Sequence, residues 1–376
     1  MMKMIHLKKI MPKENLATKI IYSFFKLLFS VNENPDRNIS VPKKILIVRQ
    51  HNQLGDVLAG VSLFRALKET YPESNISLVV SPFNYPGVTK NKFLNRIYIF
   101  DKKKLFNPVY FYRMLKFLRE GYDLAIVPVL VSISFTSNLL ARISKSETRI
   151  GAKSLNGKNN PSAFLFDRRI DLDWRKHPDS NASERSLDIV RPFGINTNNF
   201  KSEITFNGVD TAAAKKFVED FGDPSKKNLI GLHVGAGKAN NRWSLEKYAS
   251  LVKKLENNFA ANFYLTGGWA EKEELNYLIK NVNITFGKFI NKPVPQIAAL
   301  ISLSHLFISN DTGIMHVAGT TETPQISIFG PTNPFNWAPI GLNKYFIRKS
   351  ELIDDVSVED VFHLCEIILR KKEINK

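Results

Sequence analysis

Along this chain, short apolar runs of strand length alternate with stretches whose apolar residues recur at helical spacing. The first run is Lys44-Ile-Leu-Ile-Val-Arg49; after a polar loop, the helix-period stretch 56–71 completes a βα unit. Further strands are predicted at 76–80, 97–100 and 124–128, with helices near 108–120 and 137–145. Residues 151–182 turn polar and irregular, with only Ala163-Phe-Leu-Phe166 apolar inside them, and predict a loop or an excursion. A second series starts after Asp223-Pro-Ser-Lys-Lys227. Its strands are predicted at 229–234, 262–266, 284–286, 305–309 and 325–329, and its helices near 244–257, 270–281, 294–302 and 313–319. Such alternation predicts parallel sheets covered by helices, hence an α/β chain with two doubly wound halves. The expected division is an extension over 1–40, a first half over 41–222, a second over 223–350 and a terminal stretch 351–376. Its helix, 356–369, is expected to cross back to the first half. Ligands of such sheets bind beyond the carboxyl ends of the strands, so the loops after Arg49, Val234, Thr266 and Ser309 are expected to face a cleft between the halves.

The extension has its own pattern. Residues 16–29 are strongly apolar but broken by Lys19 and Lys26, leaving runs well short of the roughly 20 residues that span a bilayer. No small-residue cleavage site follows at Val31-Asn-Glu-Asn34, so the segment is expected to be retained. As a helix it places Ile20, Phe24, Leu27 and Leu28 on one side. That stripe suits either lying on a membrane or packing on the domain.

Length and composition agree with two domains. The chain has 376 residues, 44% hydrophobic and 23% charged, which supports full cores and excludes a disordered or collagen-like chain. Charge adds more: 53 Lys+Arg against 35 Asp+Glu gives +18, a field that attracts nucleic acid, phosphorylated metabolites or an anionic membrane surface. Residues 1–40 hold seven Lys/Arg against three Asp/Glu, so most of the excess belongs to the folded body. No recognition helix, zinc knuckle or RRM-type aromatic motif accompanies it, which argues against nucleic acid. The single cysteine, Cys365, excludes a disulfide scaffold and fits a cytoplasmic location. Seven histidines and one cysteine show no metal-ligand spacing, and the short Asp171-Leu-Asp173 pattern is too brief to carry a site, so no metal or cofactor is expected.

Three loops carry candidate chemistry. In Gln50-His-Asn-Gln-Leu-Gly-Asp56, Gly55 permits a tight turn and Asp56 falls at the cap or first turn of a helix. There it either caps the helix or, facing the cleft, takes a proton from an acceptor hydroxyl. The run from Gly231 to Ser244 resembles a phosphate loop, but five residues separate Gly231 from Gly237 and Ala239 stands where a Walker motif has Ser/Thr. What remains is a glycine-rich turn with Lys238 and Arg242 either available to a diphosphate or merely solvated. In Ser309-Asn-Asp-Thr-Gly-Ile-Met-His316, Asp311 is read as the cap. Thr312 and Gly313 offer N–H groups at a helix start, and His316 sits one turn in, an arrangement suited to an anion.

Together these segments resemble glycosyltransferase family 9, whose best-known members are the ADP-heptose:lipopolysaccharide heptosyltransferases. The carrying residues are Ile45-Leu-Ile-Val-Arg with Leu54-Gly-Asp-Val, the run Arg242-Trp-Ser-Leu-Glu-Lys-Tyr-Ala, Leu265-Thr-Gly-Gly-Trp-Ala-Glu271, and Asn310-Asp-Thr-Gly-Ile-Met-His-Val-Ala with Phe329-Gly-Pro-Thr-Asn-Pro. They span about residues 43–340 in the family's order; residues 1–40 fall outside. The resemblance implies a GT-B fold, two Rossmann-like domains facing a central cleft, and metal-independent transfer that inverts the anomeric centre. It makes Asp56 the general base. Arg242, with Lys238, becomes the cation on the donor diphosphate, Asp311, Thr312, Gly313 and His316 the holders of donor phosphate and sugar, and Glu271 the carboxylate at the donor ribose. It also implies a nucleoside-diphosphate sugar as donor, a lipid-linked or lipopolysaccharide-core acceptor, and work at the inner face of the cytoplasmic membrane. Two other readings stay open: a GT-B protein that binds a nucleotide sugar without transferring it, and a basic nucleic-acid-binding protein.

Overall fold

The computed structural model describes residues 16–51 and 53–374. The described residues open with helix α1 (Leu16–Phe29); residues 1–15 of the expected extension lie outside them. The first half then runs β1 (Lys44–Arg49), α2 (Leu54–Ala59), α3 (Val61–Thr70), β2 (Asn75–Val80), β3 (Arg96–Ile99), α4 (Pro108–Leu118), β4 (Leu124–Ile126), α5 (Phe135–Ile143), β5 (Thr148–Leu155), β6 (Lys158–Asn159), β7 (Arg168–Leu172) and α6 (Ala182–Arg185). After α7 (Gly208–Phe221) come β8 (Asn228–His233), α8 (Leu245–Asn258), β9 (Ala261–Gly267), α9 (Lys272–Asn281), β10 (Phe286–Ile290), α10 (Val294–Ser302), β11 (Leu306–Asn310), α11 (Gly313–Gly319), β12 (Gln325–Ile328), α12 (Pro334–Trp337), β13 (Lys344–Ile347) and α13 (Val358–Ile374).

The two halves repeat one topology. The first sheet has the order β3-β2-β1-β4-β5-β6 with β7 also on β5; the second has β10-β9-β8-β11-β12-β13. Pairing is parallel throughout except for β5 with β6. Central strands covered on both faces must be apolar on both, and Ile45 to Val48 in β1 and Leu229 to Leu232 in β8 are all buried. Each sheet reverses its strand order at its middle, between β1 and β4 and between β8 and β11. A crevice opens there at the strand carboxyl ends.

Three expectations need correcting. Residues 151–182 are not a loop: β5 continues to Leu155 and β7 joins it, with Ile170 and Leu172 buried and Asp171 between them exposed. That is strand alternation, masked in the sequence by surrounding Lys, Arg and Asn. The terminal helix α13 does not return to the first half with its apolar side. Val361, Phe362, Cys365, Ile368 and Leu369 all belong to the core of the second. Conversely α7, within the span expected of the first half, packs on the second: Phe217 stacks with Phe221 and meets Phe289, ring centroids 4.8 Å apart in each pair. Its start carries a reciprocal capping box between Asn207 and Asp210, a signal legible in the sequence. No described helix is long and apolar enough to cross a membrane.

Candidate active site

The chain leaving β1, β4, β8 and β11 converges on the two crevices. Arg49 ends β1, and Asp56 lies in the first turn of α2 with only 3% of its surface exposed. It does not cap. Gln53 holds the cap position, and Asp56 Oδ2 instead accepts a hydrogen bond from Arg49 Nη2 at 3.0 Å. Arg49 is itself anchored through Nη1 to the Pro128 carbonyl at 3.2 Å, so the guanidinium bridges the ends of β1 and β4. Burial pushes the Asp56 carboxyl above the usual carboxylate range, with Arg49 opposing. Next to it, His51 is driven down to about 4, first by burial and then by Arg49 and Lys102, which keeps its imidazole neutral. Asp56 and His51 face a pocket of about 760 Å³ in the first half, whose other walls include Phe83, Lys102, Lys103, Ser132 and Ser134.

Across the cleft, the loop after β8 is held by one side chain. Asn310, fully buried at the end of β11, donates from Nδ2 to the carbonyls of Val234 (2.9 Å) and Gly235 (3.2 Å). Its Oδ1 accepts from Trp243 N and Tyr248 Oη, at 3.2 and 3.0 Å. The loop so fixed presents Lys238, exposed. Asp311 does not cap α11 as expected: Thr312 holds that position without a side-chain capping bond, and Asp311 Oδ2 accepts from Asn241 Nδ2 at 2.8 Å. Burial raises the Asp311 carboxyl, against a hydrogen bond from Thr332 and the charge of Lys238. His316 is pushed by burial down to about 4, so it brings hydrogen-bonding capacity rather than charge to this wall. Its ring meets Trp337 edge-on at 6.2 Å and packs directly over Gly55, where an added Cβ would stand 2.5 Å from His316 Cδ2. Only glycine lets α2 and α11 approach this closely.

Between the halves lies a cavity of about 460 Å³. Gln53, Leu54, Gly55, Asp56 and Val131 line it from the first half; Gly237, Lys238, Asn241, Asp311, Thr312, Gly313, His316, Thr332 and Trp337 line it from the second. Asp56 thus stands on both this cavity and the pocket beside it. The structure brings together six of the eight expected residues. Arg242 and Glu271 stand off the cavity wall. Arg242 Nη1 pairs with Glu274 Oε1 at 2.5 Å and Nη2 donates to the Ala236 carbonyl, so the cation expected at the cleft is already engaged. Glu271 underlies Gly235, with Oε1 3.3 Å from His233 Nε2 and Oε2 accepting from Gly268 N at 2.5 Å. The His233 bond, against burial, holds its carboxyl below the usual range. Among the described residues no group of three or more His, Cys, Asp or Glu could hold a metal ion. Sequence reasoning missed His51, Lys102, Asn241, Thr332 and Trp337. His51, Asn241 and Thr332 lay in marked loops, whereas Lys102 sits in Asp101-Lys-Lys-Lys104, which carries no motif.

Two parallel α/β halves thus face a cleft that carries a carboxylate on one wall and a lysine on the other. A sequence model of glycosyltransferase family 9 (heptosyltransferase) matches residues 111–362, more than half of the chain, and the chain belongs to that family. A putative glycosyltransferase of Haemophilus influenzae is 26% identical over 313 residues, covering 79% of this chain and 86% of its own. Lipopolysaccharide heptosyltransferase 3 of Escherichia coli is 24% identical over 307 residues, covering 76% and 83%. The fold matches that of a Veillonella parvula family 9 glycosyltransferase at TM-score 0.77 (19% identity; 89% of this chain, 100% of that one). It also matches E. coli ADP-heptose lps heptosyltransferase II at TM-score 0.72 (20% identity; 88% and 99%). The chain has the GT-B fold, two Rossmann-like domains facing a central cleft.

Proposed function

We propose that this protein transfers a heptose from ADP-heptose, with inversion and without a metal, to a lipopolysaccharide-core or related glycolipid acceptor at the inner face of the cytoplasmic membrane. The observation that carries the reading is Asp56, a buried carboxylate on the boundary between the interhalf cavity and the first-half pocket. The acceptor hydroxyl, approaching from the pocket, gives its proton to Asp56 while its oxygen forms the bond to the anomeric carbon. The bond from that carbon to the diphosphate oxygen breaks, and its electron pair leaves with the nucleoside diphosphate. Lys238 stabilises the departing charge, with Asp311, Thr312, Gly313 and His316 holding phosphate and sugar. On this reading Glu271 turns from its partners beneath Gly235 to the donor ribose, while Arg242, paired with Glu274, holds the Ala236 carbonyl of the loop rather than the diphosphate. Burial suits Asp56 to the task, because a carboxylate with a raised pKa is the stronger base once ionised. The heptose assignment draws support from relatives named as heptosyltransferases.

Replacing the carboxylate tests the mechanism. Asp56→Asn should lower turnover by about 10²–10⁴-fold, the usual contribution of a general base, while donor affinity measured by calorimetry stays within about twofold. Near-normal turnover would remove Asp56 as the base. Donor binding without turnover of the wild type across an acceptor panel would leave a binding protein.

A further inference from the structure

Helix α1 is apolar on two opposite sides, and the fold uses only one of them. Tyr22 and Phe25 each meet the Phe135 ring edge-on at 5.1 Å, at the start of α5. Phe29 stacks on Phe25, and its carbonyl accepts from Arg142 Nε at 2.9 Å; just beyond, Val31 N donates to the Phe164 carbonyl at 2.9 Å. The helix is therefore fastened to the first half along one side and at its end. Ile20, Phe24, Leu27 and Leu28 occupy the opposite side and are exposed, Leu27 at 84%. Four large apolar side chains held outward on an anchored helix lose hydration free energy unless something apolar receives them.

Charge says what receives it. Lys26 is exposed but off the stripe, towards Tyr22, and the sequence ahead of the helix holds Lys3, Lys8, Lys9 and Lys13 against a single acidic residue, Glu14. An apolar stripe that follows a lysine-rich stretch of sequence is the pattern of a helix lying in the interface of a bilayer rich in anionic lipid, and at 14 residues α1 is too short to cross one. The position agrees. Ser134, which precedes the Phe135 platform of α1, lines the pocket next to Asp56. Lys102 and Lys103 stand on the same pocket, and α4, which packs beside α5, leaves Val109 and Tyr112 exposed.

We infer that the outward face of α1 is a docking surface for an anionic lipid bilayer, which sets the mouth of the first-half pocket at the headgroup layer. Only the purpose of this docking rests on the glycolipid-acceptor reading; the binding itself needs no sugar transfer. The test is co-sedimentation of the full chain, without donor, with vesicles of phosphatidylglycerol and phosphatidylethanolamine or of phosphatidylcholine alone. Anionic vesicles should bind at least about tenfold more tightly than neutral ones, and added salt should weaken them. The double variant Phe24→Glu/Leu27→Glu should lose at least about tenfold in vesicle affinity, with unchanged melting temperature and unchanged transfer to a detergent-dispersed acceptor. Wild-type chain that ignores anionic vesicles, or a variant that binds as the wild type does, overturns the inference. So does a wild-type dimer in sedimentation velocity that the variant abolishes, since the face would then belong to a second copy. A chain that docks but never transfers sugar keeps this inference and removes the glycosyltransfer reading instead.

Discussion

Arg49 sets the working range of the proposed base. A base must be ionised, so activity falls as pH drops through its pKa, and burial places that fall above the usual carboxylate range of about 4. Arg49, 3.0 Å from Asp56, pulls the pKa back down. Removing the cation leaves desolvation unopposed. Arg49→Gln should therefore move the acid limb of the kcat/KM profile upward by about 1–3 pH units, the range for loss of an adjacent opposite charge. A lower rate at every pH with the limb in place would mean that Arg49 serves only to hold β1 against β4. Asp56, the third residue of α2, does not cap it, and its carboxylate is satisfied by Arg49, seven positions earlier.

Among the elements, the packing of α2 on α11 controls how the halves meet. Gly55 and Gly313 both lie at that contact, yet they differ in the room they leave. A Cβ at Gly55 would overlap the His316 ring at 2.5 Å, and that ring is confined by Trp337; a Cβ at Gly313 would sit 3.4 Å from Leu54 Cβ, close to ordinary contact. Gly55→Ala should thus destabilise the protein by about 1–3 kcal/mol and depress turnover, whereas Gly313→Ala should leave the melting temperature nearly unchanged. Thermal unfolding of the two variants side by side checks this. Equal effects would show that α2 and α11 yield freely. The loop of Lys238 depends in a different way on β11, through the four hydrogen bonds of Asn310 that tie its base to the strand.

At the scale of the whole molecule, a donor filling the interhalf cavity touches both halves and so stabilises the folded state in which they meet. Binding to the folded state alone raises apparent stability by mass action, by about 2.7 kcal/mol at a hundredfold excess over Kd. Thermal shift with ADP-, UDP- and GDP-sugars should give its largest rise with the ADP sugar. A larger rise with another nucleotide would remove the ADP-heptose assignment and leave the transferase reading intact. The +18 charge fits this arrangement, since a cleft walled by Lys238 and a pocket walled by Lys102 and Lys103 favour anionic substrates on both sides of Asp56.

The sequence carries local burial well, because burial on one face imprints a period. Most strands and helices of both halves were legible for that reason, as were the loops of Asp56 and of Asp311–His316, where glycine and small polar residues interrupt the period at strand ends. β7 was lost where charged neighbours hid a two-residue alternation, and β10 was placed too early, at 284–286 rather than Phe286–Ile290. Pairings between distant segments leave no such imprint. That Arg242 turns to Glu274, that His316 lies over Gly55, and that α13 covers the second core follow from which surfaces fit when the sheets are assembled. Helix α1 shows the division at its sharpest: its apolar stripe can be read from periodicity alone, but a stripe looks the same whether it meets protein or lipid. Its direction was set by Tyr22 and Phe25, which found Phe135 on the other side with Phe29 stacked on Phe25, and so left Ile20, Phe24, Leu27 and Leu28 facing out.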